Sequence, residues 1–147
     1  MKKRFIIFPV LFLVVFLAAC GREEVSIEDY EWKMRTVMSN DIELADSEEV
    51  VIAVGEKDEL YPNAKVMDIT LVANDGKITV EDETNKETYN GSYKVIETTP
   101  DGINYEVIID GVSGYATVSP TEYSDGTEIP TLPINMGDYS VYFHPVG

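Results

Sequence analysis

The sequence predicts an all-β domain: a small antiparallel β-barrel, with a β-sandwich as the alternative. Three observations predict it. From residue 29 onward, apolar residues alternate with polar ones at period two through most of the chain. Asp75-Gly76 and Asp110-Gly111 separate such runs. Asp-Gly is a strong two-residue hairpin signal because both positions accept φ > 0. Residues 41–49 are the only stretch that reads as a helix, and the pattern there is weak. Seven or eight short strands at this spacing make a barrel or a sandwich, and closure is the usual way to remove exposed edges.

The elements follow in chain order. Lys2, Lys3 and Arg4 precede an apolar run from Phe5 to Leu17, then Leu17-Ala18-Ala19-Cys20-Gly21. A basic start, a short apolar core and a small-residue cleavage site make a secretory signal. The run is too short to span a bilayer, which takes about 20 residues. Residues 20–28 read as a modified N-terminus and a short polar tether of about 25–30 Å when extended. The remaining residues, 29–147, form one domain.

In that domain, Trp32, Met34, Thr36 and Met38 alternate with Glu31, Lys33, Arg35 and Val37, which predicts a first half-buried strand. Val50 to Val54 is a short apolar run ended by Gly55. Residues 66–73 place Met67, Ile69 and Leu71 on one face, and Asp75-Gly76 turns them into 77–81. Residues 86–97 carry Tyr89, Tyr93 and Val95 on one face, with Asn90-Gly91 expected as a turn or a bulge. Pro100-Asp101-Gly102 is a turn, and Ile103, Tyr105, Val107 and Ile109 then alternate. Asp110-Gly111 leads into 114–118. Residues 119–133, rich in Pro, Ser, Asp and Gly, read as a loop, and 139–143 as the last strand.

Two resemblances add to this. Leu-Ala-Ala-Cys resembles a bacterial lipobox. That resemblance implies that Cys20 receives a diacylglycerol and becomes the mature N-terminus, so that the protein sits on the extracytoplasmic face of the cell membrane. Asp29-Tyr30-Glu31-Trp32-Lys33-Met34-Arg35-Thr36-Val37 resembles the Gly-x-Trp-Lys-x-x-x-Val start of bacterial lipocalin-like domains. Tyr89-Asn90-Gly91-Ser92-Tyr93-Lys94-Val95 is similar to their Gly-Thr-Tyr-x-Val strand. Residues 55–65 and 125–133 also resemble small lipoproteins of Gram-positive bacteria. The likeness implies a lipocalin-like (calycin) barrel. Tyr30 stands where that pattern has Gly, and no Arg follows Arg35 to cover the Trp.

Charge and chemistry narrow the function. The net charge is −16, and removing the three cations of the signal takes it to −19. That disfavours nucleic acid and anionic headgroups as partners. Cys20 is the sole Cys and His144 the sole His, so neither a thiol nucleophile nor a zinc ligand set is expected. No Gly-rich phosphate loop or Gly-x-Ser-x-Gly elbow occurs. The expectation is a non-enzymatic domain without cofactor or metal. It would bind a small apolar or amphipathic ligand, or act as a filled-barrel module for another envelope protein. Trp32, Met34, Tyr93 and Tyr105 are the residues expected to line such a ligand site or to fill the core.

Overall fold

A computed structural model describes residues 24–40 and 51–147. The signal, Cys20, the first residues of the tether and the 41–49 helix lie outside the described residues. The described residues form ten strands: β1 (Glu31–Ser39), β2 (Val51–Val54), β3 (Lys65–Val66), β4 (Ile69–Asn74), β5 (Lys77–Asp82), β6 (Glu87–Thr99), β7 (Gly102–Ile109), β8 (Val112–Glu122), β9 (Glu128–Asn135) and β10 (Tyr139–Pro145). Eight of them, β1 and β4 through β10, run in order around a closed antiparallel barrel of lipocalin-like form. β1 closes it by pairing with β10 along most of its length, from Trp32 opposite Pro145 to Ser39 opposite Tyr139. The sandwich alternative is therefore not what this sequence builds.

β1 is shared. Its first half, Glu31 to Lys33, pairs with β4, and its second half, Thr36 to Met38, pairs with β2. β2 and the two-residue β3, which runs parallel to it, form a side excursion between β1 and β4. An up-and-down barrel would send β1 straight into its neighbour. Here the chain detours before returning to β1.

The hairpin turns follow from the sequence. Asp75 and Gly76 have φ of 49° and 74°, and Asp110 and Gly111 have 50° and 77°. Both pairs are left-handed throughout, the type I′ geometry whose twist matches that of flanking strands. The β5–β6 turn uses Lys86 at φ 60°, a conformation that costs an L side chain about 1–2 kcal/mol. Asp82 closes this turn from inside the barrel. Its carboxylate is buried and accepts Asn85 N at 3.0 Å and Asn85 Nδ2 at 2.7 Å. Burial pushes its pKa up. The hydrogen bonds from Asn85 and Thr84, with the charge of Lys65, outweigh that and hold it below the usual value.

Three expectations are corrected. Residues 119–133 are not a loop: β8 extends to Glu122 and β9 begins at Glu128. The prolines are tolerated because of where they fall. Pro120 opposes Pro130 beyond the ends of both flanking ladders, since β7 pairs with β8 only as far as Val118 and β10 with β9 only from Leu132. Pro133 falls where the β8–β9 pairings jump from Ala116–Ile134 to Ser119–Thr131. Asn90-Gly91 is neither turn nor bulge but the middle of β6, with Gly91 between Ile78 and Ile109. A Cβ on Gly91 would lie 2.0 Å from the carbonyl oxygen of Ile108, so glycine lets β6 and β7 approach. The bulge of β6 comes later, between Val95 and Glu97. Finally, residues 24–28 are not a free spacer. Ile27 is fully buried in the core, and the folded unit reaches back to include this stretch.

Candidate functional site

The four aromatic and Met positions expected to line a site converge inside the barrel. Trp32, Met34 and Tyr105 have almost no accessible surface, and Tyr93 is half-buried. Period-two alternation puts them on inner faces, and barrel curvature brings three of them around Ile27. The Trp32 indole Nε1 donates to the Ile27 carbonyl at 2.8 Å. The Ile27 amide donates to the Tyr105 hydroxyl oxygen at 3.2 Å. Tyr105 stacks edge-on against Tyr93 with ring centroids 5.7 Å apart, and Tyr30 does the same against Trp32 at 5.6 Å. The Tyr93 hydroxyl donates to Glu28, whose Oε1 also accepts the Asp75 amide at 2.8 Å. Residues 26–28 thus form a plug that closes one end of the barrel and is laced to the β4–β5 turn.

The plug decides what the interior can do. Trp32, Leu71, Ile78, Tyr105, Val107, Val118, Leu132 and Ile134 belong to one core cluster and are each no more than 1 % exposed. A water-sized void among them would appear as accessible surface, so the inside of the barrel near the plug is filled. Among the described residues no buried side-chain polar atom lacks a hydrogen-bond partner. Trp32, Met34 and Tyr105 are core, and Tyr93 packs against it. None of them lines a cup at this level.

The opposite mouth differs. Val37, Ile69, Tyr89, Ile109, Met136 and Val141 pack against the core but remain half-buried. They lie toward the far ends of β1, β4, β6, β7 and β10 and in the β9–β10 turn, at the level of Asp82, which pairs with Ile69.

Among the described residues, two surface grooves and one strand edge also stand out. The first groove, about 320 Å³, runs along β1 and the end of β10 past Lys33, Arg35, Glu56, His144 and the chain end. Arg35 is the bulge residue of β1, skipped in the register against β10, and the bulge aims it outward. It faces Glu56 at 3.6 Å and Asp58 at 3.8 Å, and Lys33 faces Asp68 at 3.4 Å. Burial lowers the pKa of His144 and the Arg35 charge adds to the effect, both disfavouring the protonated ring. The Tyr123 hydroxyl is its hydrogen-bond partner, 3.3 Å from Nε2. The cations here already have carboxylate neighbours. The second groove, about 220 Å³, lies at the plugged end between Val25, Pro100, Val118, Pro120 and Pro130, with Glu24 and Asp101 on its rim. No three His, Cys, Asp or Glu side chains among the described residues gather closely enough to hold a metal ion.

The strand edge belongs to β6. β5 pairs with it only from Glu87 to Ser92, and Tyr93 N then donates to Gly76 O at 3.0 Å. Beyond that point, residues 94–99 pair with β7 alone among the described residues. Val95 and Ile96 on this stretch are 56 % and 54 % exposed. Ile27, Glu28 and this edge are what sequence reasoning missed. Val25 and Ile27 do alternate with polar neighbours, the only signal that could have placed the plug. Comparison with protein-family models, with curated proteins and with solved structures finds no match.

Proposed function

We propose that the protein is a non-catalytic lipoprotein, tethered through Cys20 to the outer face of the cell membrane, whose barrel serves as a protein-interaction module. The observation that carries the choice of module over carrier is the filled interior. A carrier of small apolar ligands needs a cavity of about 300 Å³ or more. The space behind Trp32 and Tyr105 is occupied by their own side chains and by Ile27. An interaction module needs only a rigid body and an exposed apolar or edge feature, and β6 supplies one.

Two measurements test this. Mass spectrometry of the mature N-terminus should find a diacylglyceryl-modified Cys20, and an unmodified Cys20 or cleavage at another bond rejects the anchor. A photo-crosslinker at Ile96 in whole cells should give one discrete adduct, while one at Thr79 on the barrel wall should not. Equal labelling, or none, rejects the module. The half-buried apolar ring at the far mouth supports a second reading, a shallow seat for an amphipathic molecule. Stoichiometric uptake of such a molecule, lost on Ile109→Asp, would favour it.

A further inference from the structure

The free stretch of β6, residues 94–99, sits beside the groove formed by Val25, Pro100, Val118, Pro120 and Pro130, whose lining also includes the acids Glu24, Asp101 and Glu128. We infer that this edge accepts an extended segment of a partner protein as an additional strand, and that the segment alternates apolar and basic residues. This deepens the interaction-module reading and rests on it.

The backbone supplies the first half of the argument. Tyr93 N points to the β5 side of the strand, toward Gly76 O. Strand alternation turns the Val95 N–H the same way, into the gap where no β5 residue lies opposite. Six residues at about 3.3 Å each offer roughly 20 Å of edge, enough for several main-chain hydrogen bonds. The side chains supply the second half. A strand laid on this edge would turn every second side chain toward the barrel end, where Val95 and the Val25–Val118–Pro120 groove are apolar. Its other side chains would face Glu97 and Lys94, the latter already paired with Glu106 at 2.5 Å, and those at its ends would approach Glu24 and Asp101. Basic residues suit those positions.

A second copy of this chain suits them poorly. Two chains, each of net charge −19 without the signal, would meet there.

The test uses the folded, unlipidated chain and two synthetic octapeptides of alternating Val and Lys. One is unmodified, and the other carries N-methyl groups on alternate residues, so that its charge is unchanged but one hydrogen-bonding edge is blocked. Amide chemical shifts should move at residues 94–99 with the first peptide, and the Val95 amide should gain protection from hydrogen exchange. The methylated peptide should bind at least tenfold more weakly. Val95→Pro, which removes an N–H from the free side only, should weaken the first peptide by a similar factor with an unchanged urea midpoint. Equal binding of both peptides, shifts scattered over the acidic surface, or no binding at all overturns the inference. If a crosslinker at Ile96 still gives a discrete adduct in cells, the module reading stands and only the β-strand mode and the basic segment fall.

Discussion

Truncating the plug side chain, Ile27→Ala, tests the idea that the barrel is completed by residues that look like a tether. Ile27 is fully buried, so the substitution removes three carbons from a closed interior. Their transfer alone is worth about 2.4 kcal/mol at about 0.8 kcal/mol per methylene. The space left among Trp32, Tyr105 and their neighbours adds about 1–2 kcal/mol at roughly 24 cal/mol per Å³ of cavity. The backbone bonds from Trp32 Nε1 and to Tyr105 can persist, since they use the Ile27 carbonyl and amide. The expected loss is therefore about 3.4–4.4 kcal/mol, a large part of the 5–15 kcal/mol typical of a domain. Urea unfolding read by Trp32, the only Trp, measures it directly. With a slope of about 2 kcal/mol/M the midpoint should fall by roughly 1.7–2.2 M. Leu60→Ala is the control, because Leu60 is 79 % exposed and should leave the midpoint unchanged. If Ile27→Ala behaves like the control, the plug is not part of the folded unit and the closed-end argument collapses.

Three more expectations follow from particular contacts. Gly91→Ala should cost about 3 kcal/mol or thwart folding, because the new Cβ meets the Ile108 carbonyl oxygen at 2.0 Å; a thermal melt unchanged from the parent would contradict the close β6–β7 approach. Lys86→Gly should raise stability by about 1 kcal/mol, since Lys86 holds φ 60° and its ion pair with Glu83 is exposed; a lower urea midpoint would show that the turn is not strained. His144 should titrate below 6.5 by NMR, because burial, and then the Arg35 charge, disfavour its protonated form. The unfolded chain then binds the proton more readily, so the stability tied to this group is present above pH 6.5 and is lost as pH falls through the folded pKa. His144→Gln should flatten that part of the pH–stability curve, and an unaltered curve would assign the slope to other groups.

Several features of the fold are local and were legible in the sequence. The Asp-Gly turns need only two residues that accept positive φ, and Asp75-Gly76 and Asp110-Gly111 adopt that geometry. The inner faces of β1 and β7 come from period-two alternation, so Trp32, Met34, Tyr105 and Val107 were placed inside before any long-range contact was known.

What escaped the sequence depends on partners far along the chain. Pro120, Pro130 and Pro133 look like loop residues until the registers show that their missing N–H groups fall outside or between ladders. Asn90-Gly91 carries a turn signal, yet β5 and β7 on either side extend the strand through it, because the space beside Ile108 admits only a glycine. Ile27 reads as one apolar residue in a polar stretch, and only the closed barrel creates the interior that buries it 78 positions away from Tyr105. The free edge of β6 arises in the same way. The alternation of β6 is written in the sequence, but the point where a neighbour stops is set by pairing, so which backbone groups stay open is decided only when the barrel closes.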